Sequence, residues 1–131
     1  MSEYYVKNLA VNLTLDHASN ILETALSVGE AAGLLPLTVA ILDTGGHLIA
    51  LKRQDGSGIM RADIAIGKAW GALGMGISSR TIRDRLADRP SFQAALSCAS
   101  QGRFIPVPGG VLICNSQQEV IGAIGISGDA S

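Results

Sequence analysis

Lys68 is set inside an apolar stretch, Ile64 to Ile77. An ammonium there must snorkel to water, pair with an acid or face a polar pocket, because burying it unpaired costs several kcal/mol. Facing a pocket, it would meet the anionic part of a ligand. Partnered by Asp43, it would be an electrophile or base acting on a small organic anion. Arg53 and Asp55 flank the end of an expected hairpin, either as a solvated pair or as further contacts to such a ligand. Pro108-Gly109-Gly110 can present consecutive backbone N–H groups as a nest for a carboxylate or propionate, and can equally be a plain turn between strands. Gly122, Gly125 and Gly128, with Ser127 beside the last, leave a strand nearly bare, as expected where another backbone, a flat ligand or a second subunit comes close. The sequence has two histidines. His17, near the start of a helix, faces the positive end of the dipole, which favours neutral imidazole and a free lone pair for axial ligation. His47, directly after Gly45-Gly46, is the second candidate axial ligand.

These residues need elements to position them. Thr14, followed by Asp16 and an apolar set at Ala18, Ile21, Leu22, Ala25 and Leu26, predicts a capped amphipathic helix closed by Gly33. Leu37 to Leu42, a turn at Asp43 to Gly46, and His47 to Arg53 predict a β-hairpin, with His47, Ile49, Leu51 and Arg53 on one face. Arg61 to Met75 reads as a helix whose Gly67, Gly71 and Ala72 admit close packing. Ser79 is the expected cap of a short helix over Arg80 to Ala87, Pro90 its stop, and Phe92 to Ala99 a further helix. Three strands then follow, at Phe104 to Val107, Val111 to Cys114 and Val120 to Ile126. Short turns within each group predict an antiparallel sheet with helices on one face.

Composition narrows the partners. At 131 residues the chain is expected to be a single domain over residues 1–131, and 47% hydrophobic residues with 16% charged can build a core. Apolar residues and glycine-bare segments in that proportion predict a homo-oligomer. Net charge −1 lacks the basic field of a protein that binds nucleic acid or an anionic membrane. The beginning, Met1 to Lys7, has no basic flank and apolar core of a leader, so a cytoplasmic location is expected. Cys98 and Cys114 are too few and too far apart for a zinc site and are expected to be buried apolar residues. With two histidines besides, no metal held by the protein alone is expected. Gly74-Met-Gly76-Ile-Ser-Ser79 is one residue short of a dinucleotide fingerprint and follows a helix, and Gly125-Ile-Ser127-Gly-Asp lacks the second glycine of a nucleophile elbow.

Five pieces in order remain: Asp43-x-Gly-Gly46, Arg53-x-Asp-Gly56, Lys68-Ala69, Pro108-Gly109-Gly110 and Gly122-Ala-Ile-Gly125-Ile-Ser127-Gly128. At this spacing the sequence, from about Leu13 to Gly128, resembles the family named for GlcG and the haem-binding HbpS proteins, which includes the C-terminal domain of PduO-type corrinoid adenosyltransferases. The resemblance implies an α+β, profilin-like or PAS-like two-layer sandwich with a five-stranded antiparallel sheet, in a homo-oligomer. It further implies binding of haem or a related tetrapyrrole, with haem degradation as a possible extension and a corrinoid as the alternative ligand. On that reading Asp43, Arg53, Lys68, Gly109, Gly110, Gly125 and Ser127 form the ligand site, with Arg53, Lys68 and, as a further candidate, Arg61 meeting propionates and the glycine strands the flat ring. The family fixes no histidine at His17 or His47, so those candidates rest on residue type alone. Members often continue past the matching Gly-Ser-Gly with an acidic, Ala-rich helix, whereas this sequence stops at Ser131.

Overall fold

The computed structural model describes residues 6–131, so most of the segment read for a leader lies outside the described residues. The elements run α1 (Leu15–Ala31), β1 (Leu37–Asp43), β2 (Leu48–Arg53), α2 (Arg61–Met75), α3 (Ser79–Leu86), α4 (Pro90–Ala99), β3 (Gly110–Cys114) and β4 (Val120–Gly128). Thr14 caps α1 as expected, its hydroxyl accepting from the His17 amide at 3.2 Å. For α3 the cap is Ser78 rather than Ser79, since only Ser78 holds the extended conformation from which its side chain reaches the Thr81 amide. Pro90 opens α4 instead of merely ending α3, because its fixed φ and missing N–H suit the first helical turn.

The sheet has four strands in the order β2-β1-β4-β3, all antiparallel, not five. The expected strand at Phe104 to Val107 is instead an irregular segment laid on α2. A Cβ on Gly67 would strike the Ile105 side chain and the Arg103 carbonyl oxygen, and one on Gly71 would lie 3.0 Å from the Phe104 ring. The two glycines thus open a groove that this segment fills. Pro106 and Pro108, lacking N–H donors, also suit it poorly to a strand ladder.

Helices cover both faces of the sheet, which corrects the two-layer expectation of helices on one side. Leu37, Val39 and Ile41 of β1 pack with Ala18, Leu22 and Leu26 of α1. Leu42, on the opposite face, packs with Ala69 of α2 and Ala123 of β4. Strand β1 is therefore buried on both sides, and from Val39 to Leu42 it reads as a continuous apolar run because neither face meets water. Against it α2 lies close: Cβ atoms on Gly110 and Gly125 would collide with the Lys68 and Ala65 backbone oxygens. At Gly125 the bare strand is thus covered by the chain's own helix backbone, whereas a Cβ on Gly122 would meet Leu42 and Leu13 and one on Gly128 would meet Pro36 and Leu37. Cys98 and Cys114 are both exposed, contrary to expectation, because α4 has no buried residue and β3 is an edge strand. Among the described residues no helix is long and apolar enough to cross a membrane.

Candidate functional site

The residues singled out from the sequence divide between the two ends of β1. At its C-terminal end Asp43 organises the hairpin turn: one carboxylate oxygen accepts from the Gly45 and His47 amides, each at 2.9 Å. The same oxygen lies 3.3 Å from His47 Nδ1. At that distance the carboxylate lies beside the exposed ring, on the side from which carboxylates orient metal-ligating histidines. Beside the pair is a cavity of about 350 Å³ lined by Leu13, Leu15, Ile49 and Ile121 together with Asp43 and His47. Its volume falls in the range of cofactor sites, roughly 300–1,000 Å³.

His47 does not share a face with Arg53. The register of β1 and β2 shifts between Ile41 and Leu42, so that Ile41 opposes Ala50 while Leu42 opposes Leu48, and Ile49 is the extra residue of a bulge. Past the bulge the alternation restarts one residue out of phase, and Ile49 packs towards the α1 core. His17 is exposed on α1 and does not line that cavity.

The other end of β1 carries cations. Arg53 opposes Thr38, which in turn opposes Ser127, so the three form a row across β2, β1 and β4. From Asp43 to Thr38 is five residues, about 17 Å of strand. Lys68 reaches this end from α2 and is fully buried. Its ammonium donates to the Ile126 backbone oxygen at 2.9 Å and to an oxygen of Ser131, the last residue of the sequence, at 2.8 Å. Arg61 donates to the Ser127 hydroxyl at 3.2 Å, and that hydroxyl donates to the same Ser131 oxygen at 3.1 Å. Among the described residues no Asp or Glu side chain forms an ion pair with Lys68 or Arg61. Asp43 is too far along β1 to be the partner of Lys68.

The Pro108-Gly109-Gly110 turn does converge on Lys68, since a Cβ on Gly109 would come within 3.0 Å of the ammonium nitrogen. Its Gly110 amide is already committed to the buried Ser79 hydroxyl at 2.7 Å, so the turn is not an open nest of free amides. Ser79, read only as a helix cap, is thereby a tie between α3 and β3. Nothing local in the sequence distinguishes it from Ser78.

Burial, and then the neighbouring Arg61 guanidinium, push the Lys68 ammonium down from 10.5 to about 8. Between those values the unfolded chain holds a proton that the folded one lacks, so this residue makes stability rise with pH across that window and contributes a constant penalty below it. Urea melts of the wild type and Lys68→Met at several pH values should show the difference between them growing in favour of the wild type from pH 8 to 10.5. Parallel curves would mean that Lys68 titrates normally.

A family model described as haem degrading protein HbpS-like matches residues 13–131. An uncharacterized 15.0 kDa protein in the dhaT-dhaS intergenic region of Citrobacter freundii is 30% identical over 95 residues, which span 72% of this chain and 65% of that protein. The crystal structure of Klebsiella pneumoniae protein ORFY is similar with TM-score 0.76 at 25% identity, over 97% of this chain and 86% of that one. A PduOC:heme complex matches at TM-score 0.78 and 24% identity, covering 90% and 83% of the two chains. A double mutant of Streptomyces reticuli HbpS matches at TM-score 0.78 and 22% identity, covering 100% and 87%.

Proposed function

Because the chain belongs to the HbpS-like family of haem degrading proteins, we propose that it binds haem through His47, with Asp43 fixing the imidazole and the adjoining apolar cavity taking one edge of the ring. The observation that carries this reading is the Asp43–His47 pair at the wall of that cavity. Leu13, Leu15, Ile49 and Ile121 suit the hydrocarbon rim of a macrocycle, and an imidazole nitrogen suits its iron. A similar fold in a PduOC:heme complex supports the choice of ligand. Bound haem would bring the iron and oxygen chemistry that degradation of the ring requires, while the protein supplies ligation, orientation and exclusion of solvent. Lys68 and Arg53 are not propionate contacts of this ring, because they lie the length of β1 away from His47.

Titrating protein purified without added cofactor with hemin should give a saturable Soret band at one equivalent per chain. A response to cobalamin and not to hemin would favour the corrinoid reading, and no chromophore binding would overturn both.

The protein acts as a cytoplasmic homo-oligomer on this reading. Supporting self-association, α1 packs against β1 and β2, while Val111 on β3 and Val120 on β4 remain exposed. Light scattering at micromolar concentration should return a multiple of 13.5 kDa, and a clean monomer would sink this part of the proposal.

A further inference from the structure

Resting on the self-association proposed above, we infer that two copies of this chain pair across a two-fold axis with their α2 helices antiparallel, each inserting Ile59 and Met60 as a knob into an apolar socket at the far end of the other's α2. Ile59 and Met60 are the corner residues of a turn closed by the Arg61 amide, which donates to the Gly58 carbonyl oxygen at 3.1 Å. They stand 85% and 70% exposed. Turn corners favour Gly, Pro, Asn, Asp or Ser, each suited by its backbone or by a short polar side chain. Met60 is also the N-cap residue of α2 and makes no side-chain cap bond, where Ser, Thr, Asp or Asn would accept from the first free amides. Two local preferences are thus given up to hold a pair of large apolar side chains in water, a cost that burial against a partner offsets.

The socket lies where α2 ends. It is a cavity of about 180 Å³ walled by Trp70, Gly74 and Met75 of α2, Leu96 and Ala99 of α4, and Phe104. Its one hydroxyl, on Ser100, is already committed, donating to the Ser97 carbonyl oxygen at 3.0 Å and accepting from the Phe104 amide at 3.2 Å. An apolar occupant therefore suits it. Helix α4, one of its walls, has no charged side chain and buries none of its residues within the chain, the pattern of a helix covered from outside. With 15 residues in α2, knob and socket sit about 22 Å apart along the helix. Laid antiparallel, two such helices bring each knob opposite the other's socket, so that one contact is made twice and the pair closes on itself. Charge agrees with this placement. Asp63, Trp70 and Gly74, spaced by seven and four residues, share one stripe of α2, with Asp63 at the knob end. The Arg103 guanidinium stacks over Trp70, 4.2 Å from the ring centroid, at the socket end. Both charged side chains are exposed, and among the described residues neither forms an ion pair. Across the pair, Asp63 of one copy meets Arg103 of the other.

Sedimentation equilibrium of the wild type at micromolar concentration should return an even multiple of 13.5 kDa. Ile59→Asp puts a charge on the knob and Ala99→Trp fills the socket, so each should weaken association about 30-fold or more, the effect of losing a central anchor. Both positions are exposed, so circular dichroism of the two variants should match the wild type. Asp63→Arg and Arg103→Asp should each weaken association as well, and the double variant should restore it, which damage confined to one chain's fold would not do. A monomeric wild type would overturn the pairing together with the self-association it rests on. With an assembled wild type, the pairing alone would be overturned by an odd number of chains, by unchanged association in Ile59→Asp or in Ala99→Trp, or by a double charge reversal that associates no better than either single one.

Discussion

His47→Ala is expected to abolish the Soret band of an axially ligated haem at protein concentrations where the wild type is saturated, and to lower haem affinity by more than a hundredfold. The effect is large because the substitution removes the iron ligand itself. Asp43→Asn, which keeps the turn shape but takes the charge from behind the imidazole, should lower affinity about 10- to 100-fold, the usual effect of losing a partner that orients a ligand. His17→Ala should change nothing, since His17 projects from the exposed side of α1, outside the cavity beside His47. The three variants form one experiment. An unchanged spectrum in His47→Ala would remove the histidine from the site, and a loss in His17→Ala would move the ligand to α1. The circular dichroism of His47→Ala should match the wild type, because the ring is exposed and its removal leaves the Asp43 carboxylate accepting from the same two amides.

Gly125→Ala should cost about 3 kcal/mol or more, at the upper end of the usual penalty for overpacking. The added methyl would meet the Ala65 carbonyl oxygen of α2 and, at 3.1 Å, the Ala69 Cβ. Neither is the far end of a flexible side chain, so relief requires the helix to lift off β4. In a chain of this length that corresponds to a fall in melting temperature of roughly 10 °C. Gly58→Ala is the control. A Cβ there meets nothing within 4 Å, so the melting temperature should stay within a degree or two of wild type. If Gly125→Ala melted with the wild type, α2 could not be seated on the sheet as described, and the burial of Lys68 beneath it would fall with that.

The candidate site was partly legible from residue types. Lys68 is recognisable in sequence as a cation that needs a special environment, and it has one: full burial, backbone acceptors and a lowered pKa. Asp43 and His47 are each identifiable as chemically able residues, but their pairing is not, because the turn that folds the carboxylate back onto the ring spans Gly45 and Gly46 and only the closed hairpin brings the two together. A hydrogen-bonding Asp at the first position of a glycine turn is a signal that could have suggested it.

Short-range signals by themselves determined the elements. Thr14 capping α1, the glycine turn between β1 and β2, and the small-residue helix Arg61–Met75 are set by backbone preferences and side-chain periods acting over a few residues, so they are readable wherever the chain folds. What only the tertiary structure decided is which surfaces those elements present to one another. Phe104 to Val107 has strand-like composition yet docks in the groove of Gly67 and Gly71, because a helix with two missing side chains offers it closer contact than a sheet edge does. The bulge at Ile49 comes from fitting β2 to β1, and that single extra residue turns His47 away from the face of Arg53. A bare glycine strand says that something approaches within backbone distance. That the something is α2 depends on contacts 40 to 60 residues away in sequence, Gly110 against Lys68 and Gly125 against Ala65, which no local preference encodes.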